Sequence, residues 1–319
     1  YRRDKPTYYA IGDVHGHASA LRNILKLIKE DIERQRKENP AFNPEIVFMG
    51  DYVDRGPHSQ EVLKIIGQEL ASQEQDGIKR TAIKGNHDFI YQRFLTVKSP
   101  SEIFVMAANL LNNGGLCTFA ELDIFFQSKP ELKETKKCFT VREIVPELIV
   151  DMGQVLDAQE KMQKIIPPEQ IALLDRLVST YETEDFYFCH AGVDNNKKLD
   201  EQNELTLLGI NQQDLTREFK RSTGHPDKIV VTGHTIVKGI EFEHTNNGKG
   251  GRVSTDTGAY QSGRLSCAIL HDKKMIGTLV ATTGNAKFEQ SFNPTPECKY
   301  PKNSLANLSQ PLDVVSQQV

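Results

Sequence analysis

Five times along this chain, a short apolar run ends in glycine or a small residue and gives way at once to a side chain that can bind a metal. It happens at Tyr8-Tyr9-Ala10-Ile11-Gly12-Asp13, at Ile46-Val47-Phe48-Met49-Gly50-Asp51 and at Thr81-Ala82-Ile83-Lys84-Gly85-Asn86-His87. It recurs at Phe186-Tyr187-Phe188-Cys189-His190 and at Ile229-Val230-Val231-Thr232-Gly233-His234. Short runs of β-branched and aromatic residues read as buried strands. Groups just past the carboxyl ends of strands are where layered α/β sheets place their sites. Between the first strands, Leu21, Ile24, Leu25, Ile28 and Ile32 form a stripe of helical period. A second helix carries Val62, Leu63, Ile65 and Ile66, with Ser59 in the position of an N-cap. This alternation predicts an α/β fold, a two-sheet β-sandwich flanked by helices.

Residues 89–184 carry few strand signals and several helical ones, including 101–111 and 168–180, and read as a helical insertion at one edge of the site. Its basic cluster at 129–137 reads as solvated surface. After His234, glycine-rich turns flank the runs 265–270 and 275–280, expected as antiparallel strands of the second sheet. Residues 1–284 would then form the catalytic domain. Residues 285–319, dominated by Pro, Asn, Gln and Ser, would be a C-terminal extension draped on the surface or partly disordered.

Lys and Arg number 39 against 43 Asp and Glu, so the formal charge is −4, which argues against a general nucleic-acid binder. The uncharged stretch 103–120 is broken by Asn109, Asn112, Asn113, Gly114 and Gly115 and does not read as a membrane span. The five cysteines form no CxxC pair and are odd in number. That argues against a disulfide framework or a four-thiolate zinc site, and points to a reducing, cytoplasmic compartment. Cys189 reads as a buried strand residue.

The candidate ligands Asp13, His15, Asp51, Asn86, His190 and His234 offer carboxylate, imidazole and amide oxygen, with no thiolate. Such donors suit Mn, Fe or Zn rather than Cu(I) or an iron–sulfur cluster. They are too many for one ion and about enough for two, with Asp51 the candidate bridge. Asp13 and His15, two apart on an extended segment, point the same way and can reach one ion. A phosphoryl-transfer site also needs an acid for the leaving oxygen. His87 follows Asn86 directly, Asp54 is available to orient it, and Arg55 offers a planar two-pronged donor for phosphate oxygens.

The set Gly12-Asp13-Val14-His15-Gly16, Gly50-Asp51-Tyr52-Val53-Asp54-Arg55-Gly56, Gly85-Asn86-His87-Asp88, His190-Ala191-Gly192 and Gly233-His234-Thr235 resembles the metal-dependent phosphoprotein phosphatases of the calcineurin-like metallophosphoesterase superfamily. Asn113-Gly114-Gly115, residues 181–185 and Asp256-Thr257-Gly258 are similar to secondary motifs of its bacterial and phage lambda phosphatase-like branch. The resemblance implies a first ion held by Asp13, His15 and Asp51, and a second held by Asp51, Asn86, His190 and His234. It implies phosphate binding by Arg55, with Asn86 alongside, and by a second arginine. For that arginine Arg217 has the better context and Arg221 is the runner-up. It implies His87 as the acid, paired with Asp54, and direct attack by a metal-activated water without a phosphoenzyme.

The expected cofactor is therefore a pair of divalent ions, manganese first and iron or zinc as alternatives. The expected partner is a phosphoprotein substrate carrying phospho-Ser/Thr, with phospho-Tyr open. Two rivals stand beside this reading: a dinucleoside polyphosphate hydrolase with the same metals, and a non-catalytic, metal-stabilised scaffold. Two departures from the family pattern are visible. Asp88 stands where Glu is usual, which would weaken a supporting hydrogen bond. The helical insertion is longer than in the small phage-type enzymes and resembles that of effector-type phosphatases acting on host proteins, which adds delivery into a host cell as an alternative location. Tyr260 reads equally as a residue of the cleft rim and as a plain loop aromatic.

Overall fold

The computed structural model describes residues 5–128, 148–149, 151–210, 228–244 and 250–282. The chain opens with β1 (Thr7–Ile11), α1 (Ala18–Glu38), β2 (Pro44–Phe48), α2 (Ser59–Asp76) and β3 (Lys79–Ala82). Helices α3 (Asn86–Thr96), α4 (Pro100–Asn112) and α5 (Leu116–Glu121) follow, then a short antiparallel ladder of β4 (Gln127–Ser128) and β5 (Leu148–Ile149). Next come α6 (Met152–Ile165), α7 (Pro168–Arg176), β6 (Thr180–Glu182), β7 (Phe186–Cys189), α8 (Glu204–Leu207) and β8 (Ile229–Thr232). The last elements are β9 (Glu241–His244), β10 (Gly251–Ser254), α9 (Ala259–Ser262), β11 (Arg264–His271) and β12 (Lys274–Thr282).

The first sheet runs β12-β11-β1-β2-β3. Its β1, β2 and β3 are parallel, while β11 and β12 are antiparallel to their neighbours. In the second, β7 pairs antiparallel with β6 and parallel with β8. The β9–β10 ladder joins it at β8, where Gly251 N donates to Lys228 O and Thr255 N to Thr232 O at 3.0 and 2.8 Å. The two-sheet sandwich flanked by helices expected from the pattern is the architecture found. One placement differs. β11 and β12 are antiparallel as expected, but they extend the first sheet beside β1, not the second.

Strand alternation explains why β1 and β2 read as unbroken apolar runs. Tyr8, Ala10, Val47 and Met49 face Phe186, Phe188, Ile229 and Val231 of the second sheet. Tyr9, Ile11, Ile46 and Phe48 turn the other way, onto Leu21, Ile24 and Ile28 of α1 and Val62 and Ile66 of α2. Both faces are buried, so neither needs a polar alternation. Tyr9 satisfies its hydroxyl by donating to Asp31 Oδ2 at 2.6 Å.

The helices expected at 101–111 and 168–180 are α4 and α7, the latter ending at Arg176. Helices α3 to α7 extend the same apolar core through Phe94, Leu110, Phe119, Met162 and Leu174. Ser59 is not the N-cap of α2; His58 holds that position, and the Ser59 hydroxyl is turned to the Asp54 amide at 3.1 Å. The basic cluster at 129–137 and the extension 285–319 lie outside the described residues. Among the described residues, no helix is long and apolar enough to cross a membrane.

Candidate active site

The carboxyl ends of β1, β2, β3, β7 and β8 gather along one edge of the sandwich. Reaching inward from there strains the backbone. His15, Asp51, Asp54, Arg55 and His234 all have left-handed backbone, with φ of 44°, 52°, 69°, 65° and 64°. Such conformations cost about 1–3 kcal/mol each and persist only where the surroundings over-determine them. Glycines matter here chiefly for space. A Cβ on Gly85 would lie 2.1 Å from Asp51 Oδ1, and one on Gly233 would lie 2.1 Å from Asp13 Oδ1.

Asp51 sits between two groups of imidazoles. Its Oδ1 is 3.3 Å from His190 Nε2, and its Oδ2 is 3.5 Å from His15 Nε2 and 3.9 Å from His87 Nε2. Nitrogen and oxygen atoms of His15, Asp51 and His87 lie within 4.8 Å of one another, as do those of Asp51, His190 and His234. Asn86 Oδ1 joins the second group, 3.1 Å from His190 Nε2 and 3.0 Å from His234 Nδ1. Backbone carbonyls orient two of the rings. His15 Nδ1 donates to Val53 O at 2.9 Å and His190 Nδ1 to Met49 O at 2.8 Å, which turns each Nε2 toward Asp51. The Asp13 carboxylate accepts the His234 amide at 3.0 and 3.1 Å and lies outside both trios.

Asp88 accepts the amides of Gly85, Asp51 and Tyr52 at 2.9, 2.8 and 2.9 Å. The shorter side chain thus makes three close bonds, because α3 begins at Asn86 and its first turn carries Asp88 against the Asp51 loop. Burial, then the Asp51 charge, pushes Asp88 up to about 6.

Burial and neighbouring charges of both signs act on these groups. Burial and the nearby Asp256 charge hold Asp13 well above the usual carboxylate range. Burial works against the charge on Asp51, but His190 and His87 outweigh it and hold Asp51 low. Burial opposes a proton on His190, yet Asp51 outweighs it and carries His190 up to about 10. Burial and His190 push His234 down to about 3. Asp256 is buried, and its Oδ2 has no hydrogen-bond partner among the described residues. The buried carboxylates of Asp13 and Asp51, inward-facing imidazole nitrogens and the Asn86 amide oxygen are a donor set that fits divalent ions of hard or borderline character.

Next to Asp51 lie His87, Asp54 and Arg55. His87 Nδ1 donates to Asp54 Oδ2 at 2.8 Å. Arg55 Nη1 is 2.9 Å from His15 Nε2, and Nη2 is 3.1 Å from His87 Nε2. The guanidinium also lies over the Tyr260 ring, 4.4 Å from its centroid, and that ring packs edge-on to His15 at 5.3 Å. Tyr260 is therefore at the site. Its only sequence signal was its position just after Asp256-Thr257-Gly258. The buried hydroxyls of Ser59 and Thr118 also reach Asp54, and neither was singled out for the site from sequence. Arg217 and Arg221 lie outside the described residues.

The chain is similar to known proteins over part or most of its length. The chain is 38% identical over 80 residues to a symmetrical bis(5'-nucleosyl)-tetraphosphatase of Methylococcus capsulatus, covering 25% of this chain and 23% of that protein. It is 30% identical over 109 residues to the asymmetrical bis(5'-nucleosyl)-tetraphosphatase PrpE of Halalkalibacterium halodurans, covering 32% of this chain and 41% of that one. The matches thus span about a quarter and about two fifths of those relatives. A solved candidate diadenosine tetraphosphatase superposes with a TM-score of 0.49 at 16% identity, covering 87% of this chain and 95% of that one. The profile of the calcineurin-like phosphoesterases matches residues 6–256, most of the chain, and the protein belongs to that family.

Proposed function

We propose that this chain is a metal-dependent phosphoprotein phosphatase that hydrolyses phosphomonoesters, phospho-Ser/Thr first and phospho-Tyr next. One observation carries the reading of a phosphate-ester hydrolase: the Asp51 carboxylate lies between two imidazole groups, with the Arg55 guanidinium and the buried His87–Asp54 pair beside it. Asp13, His15 and Asp51 would hold one divalent ion, and Asp51, Asn86, His190 and His234 the other; manganese is the first choice, iron or zinc the alternatives. When bound, such ions acidify a water and polarise the phosphoryl group. Arg55 binds phosphoryl oxygens through its two-pronged face as charge shifts toward them, with Asn86 alongside. His87 holds the proton for the leaving oxygen at Nε2, while Asp54 keeps Nδ1 hydrogen-bonded and the ring in place. Arg217 is proposed as the second phosphate-binding arginine.

The choice of a protein substrate rests on the motif set. A second reading, a dinucleoside polyphosphate substrate, is favoured by the two relatives named as bis(5'-nucleosyl)-tetraphosphatases. A kinetic comparison of phosphoserine, phosphothreonine and phosphotyrosine peptides with a dinucleoside polyphosphate, all on manganese-loaded protein, separates them. A kcat/KM on a phosphopeptide at least about tenfold above that on the nucleotide supports the first reading, and the reverse replaces it with the second. No turnover of any of them leaves the scaffold reading.

A further inference from the structure

The His87–Asp54 pair has a third member that comes from outside the strand-end motifs. Thr118 Oγ1 donates to Asp54 Oδ1 at 2.7 Å, while Asp54 Oδ2 accepts from His87 Nδ1 at 2.8 Å. Among the described residues each carboxylate oxygen thus has one donor, Thr118 at Oδ1 and His87 at Oδ2. The same hydroxyl oxygen lies 3.2 Å from the Asp54 amide, and Ser59 Oγ accepts that amide at 3.1 Å. Thr118, Asp54 and His87 are all buried, so water does not substitute for the hydroxyl.

Thr118 lies in the first turn of α5, just after Asn113-Gly114-Gly115. That segment also grips the next residue. Arg55 N donates to Gly114 O at 3.0 Å and Arg55 Nε to Asn113 O at 3.4 Å. A Cβ on Gly114 would come 2.8 Å from Arg55 Cγ. Asp54 and Arg55 both have left-handed backbone, and the 113–118 segment supplies the contacts that hold them there.

We propose that Thr118 is the positioning residue for general-acid catalysis: its hydroxyl fixes the Asp54 carboxylate, which fixes the imidazole of His87. The inference deepens the phosphatase reading and rests on His87 being the acid. Its consequence is selective. An alkoxide leaving group needs the proton that His87 delivers, whereas nitrophenolate departs without one, so loss of alignment shows on the first and not on the second.

The test uses the full chain loaded with manganese, as wild type, Thr118→Val and Thr118→Ser, assayed on a phosphoserine peptide and on p-nitrophenyl phosphate. The expected result for Thr118→Val is a kcat about 10-fold lower on the peptide with KM within about 2-fold, a change below about 2-fold on p-nitrophenyl phosphate, and recovery in Thr118→Ser. Thr118→Ala is read in the same way if valine is not accommodated. Equal losses on both substrates, an unchanged kcat, or no recovery with serine overturns the proposal. The His87 Nδ1 proton, followed by NMR on zinc-loaded protein, whose ion is diamagnetic, gives a readout that needs no turnover. Its downfield resonance is expected in wild type and Thr118→Ser and is expected to be lost in Thr118→Val, and its persistence in all three also overturns the proposal. A wild type inactive on both substrates defeats the phosphatase reading, and the NMR comparison still decides the role of Thr118.

Discussion

His87 and Asp54 meet at 2.8 Å in the interior although 33 positions separate them, one from the first turn of α3 and the other from the loop after β2. The contact exists because β2 and β3 are adjacent parallel strands, so their carboxyl ends open onto the same edge. The proposed role of His87 is proton delivery, not binding of the phosphoryl group. Replacing His87 by Asn keeps a short polar side chain and removes the acid. kcat on phosphoserine peptides should fall by about 10²–10³-fold, with bound metal, measured by elemental analysis, unchanged. A metal-replete Asn variant with full kcat would remove His87 from the mechanism.

Asp51 is the residue common to both imidazole groups, so its loss should be felt at two sites together. Asp51→Asn keeps the shape and removes the charge. Titration calorimetry with manganese should show both binding events weakened, whereas His15→Ala should chiefly weaken one. Asp51→Asn protein that binds two ions with wild-type affinity would contradict the bridging assignment.

Tyr260 packs against Arg55 and is expected to act through it. With the guanidinium 4.4 Å from its ring centroid, the aromatic face favours one placement of the positive charge. A cation–π contact at a partly exposed site is worth about 0.5–2 kcal/mol, so Tyr260→Ala should raise KM for a phosphopeptide by about 2- to 30-fold, and Tyr260→Phe should stay near wild type. Equal KM values in all three proteins would show that the ring does not organise Arg55.

Glu121 gives a pH dependence of stability away from the ligands. Its carboxylate lies 3.2 Å from the Gln60 amide, and burial pushes it from 4.5 up to about 7. Between those values the folded protein holds a proton that the unfolded chain has released. This contribution is therefore present at low pH and is lost as the pH rises through 4.5 to 7. Glu121→Gln removes that loss. Denaturant unfolding should show the variant gaining about 1–3 kcal/mol over wild type between pH 5 and pH 8. Parallel pH profiles for the two proteins would refute the assignment.

Much of the site was readable from local pattern. A buried strand announces itself by its apolar run, glycine or, before His190, the small Cys189 ends it, and the next side chain is a donor, so Asp13, Asp51, Asn86, His190 and His234 could be named as candidates without coordinates. The helical stripe of α1 was equally plain, because a period of 3.6 is a property of one short segment.

What the linear pattern could not carry is whatever depends on which segments end up adjacent. β11 and β12 were visible as strands, but a strand edge does not specify its neighbour, and only closure of the whole chain placed them beside β1. Ser59 looked like a cap by its local sequence, but the strained Asp54 amide drew its hydroxyl away. Thr118 and Tyr260 carried no signature of their own, since a hydroxyl or a ring acquires a role only from the group it touches. Sequence by itself determined the chemical identity of the donors and the strand ends that present them, because both are local. The tertiary structure alone decided their orientation: the left-handed backbone at His15, Asp51 and His234, the carbonyls that turn the rings, and the helix turn that holds Asp54 are long-range contacts whose cost is repaid only when the complete core is packed.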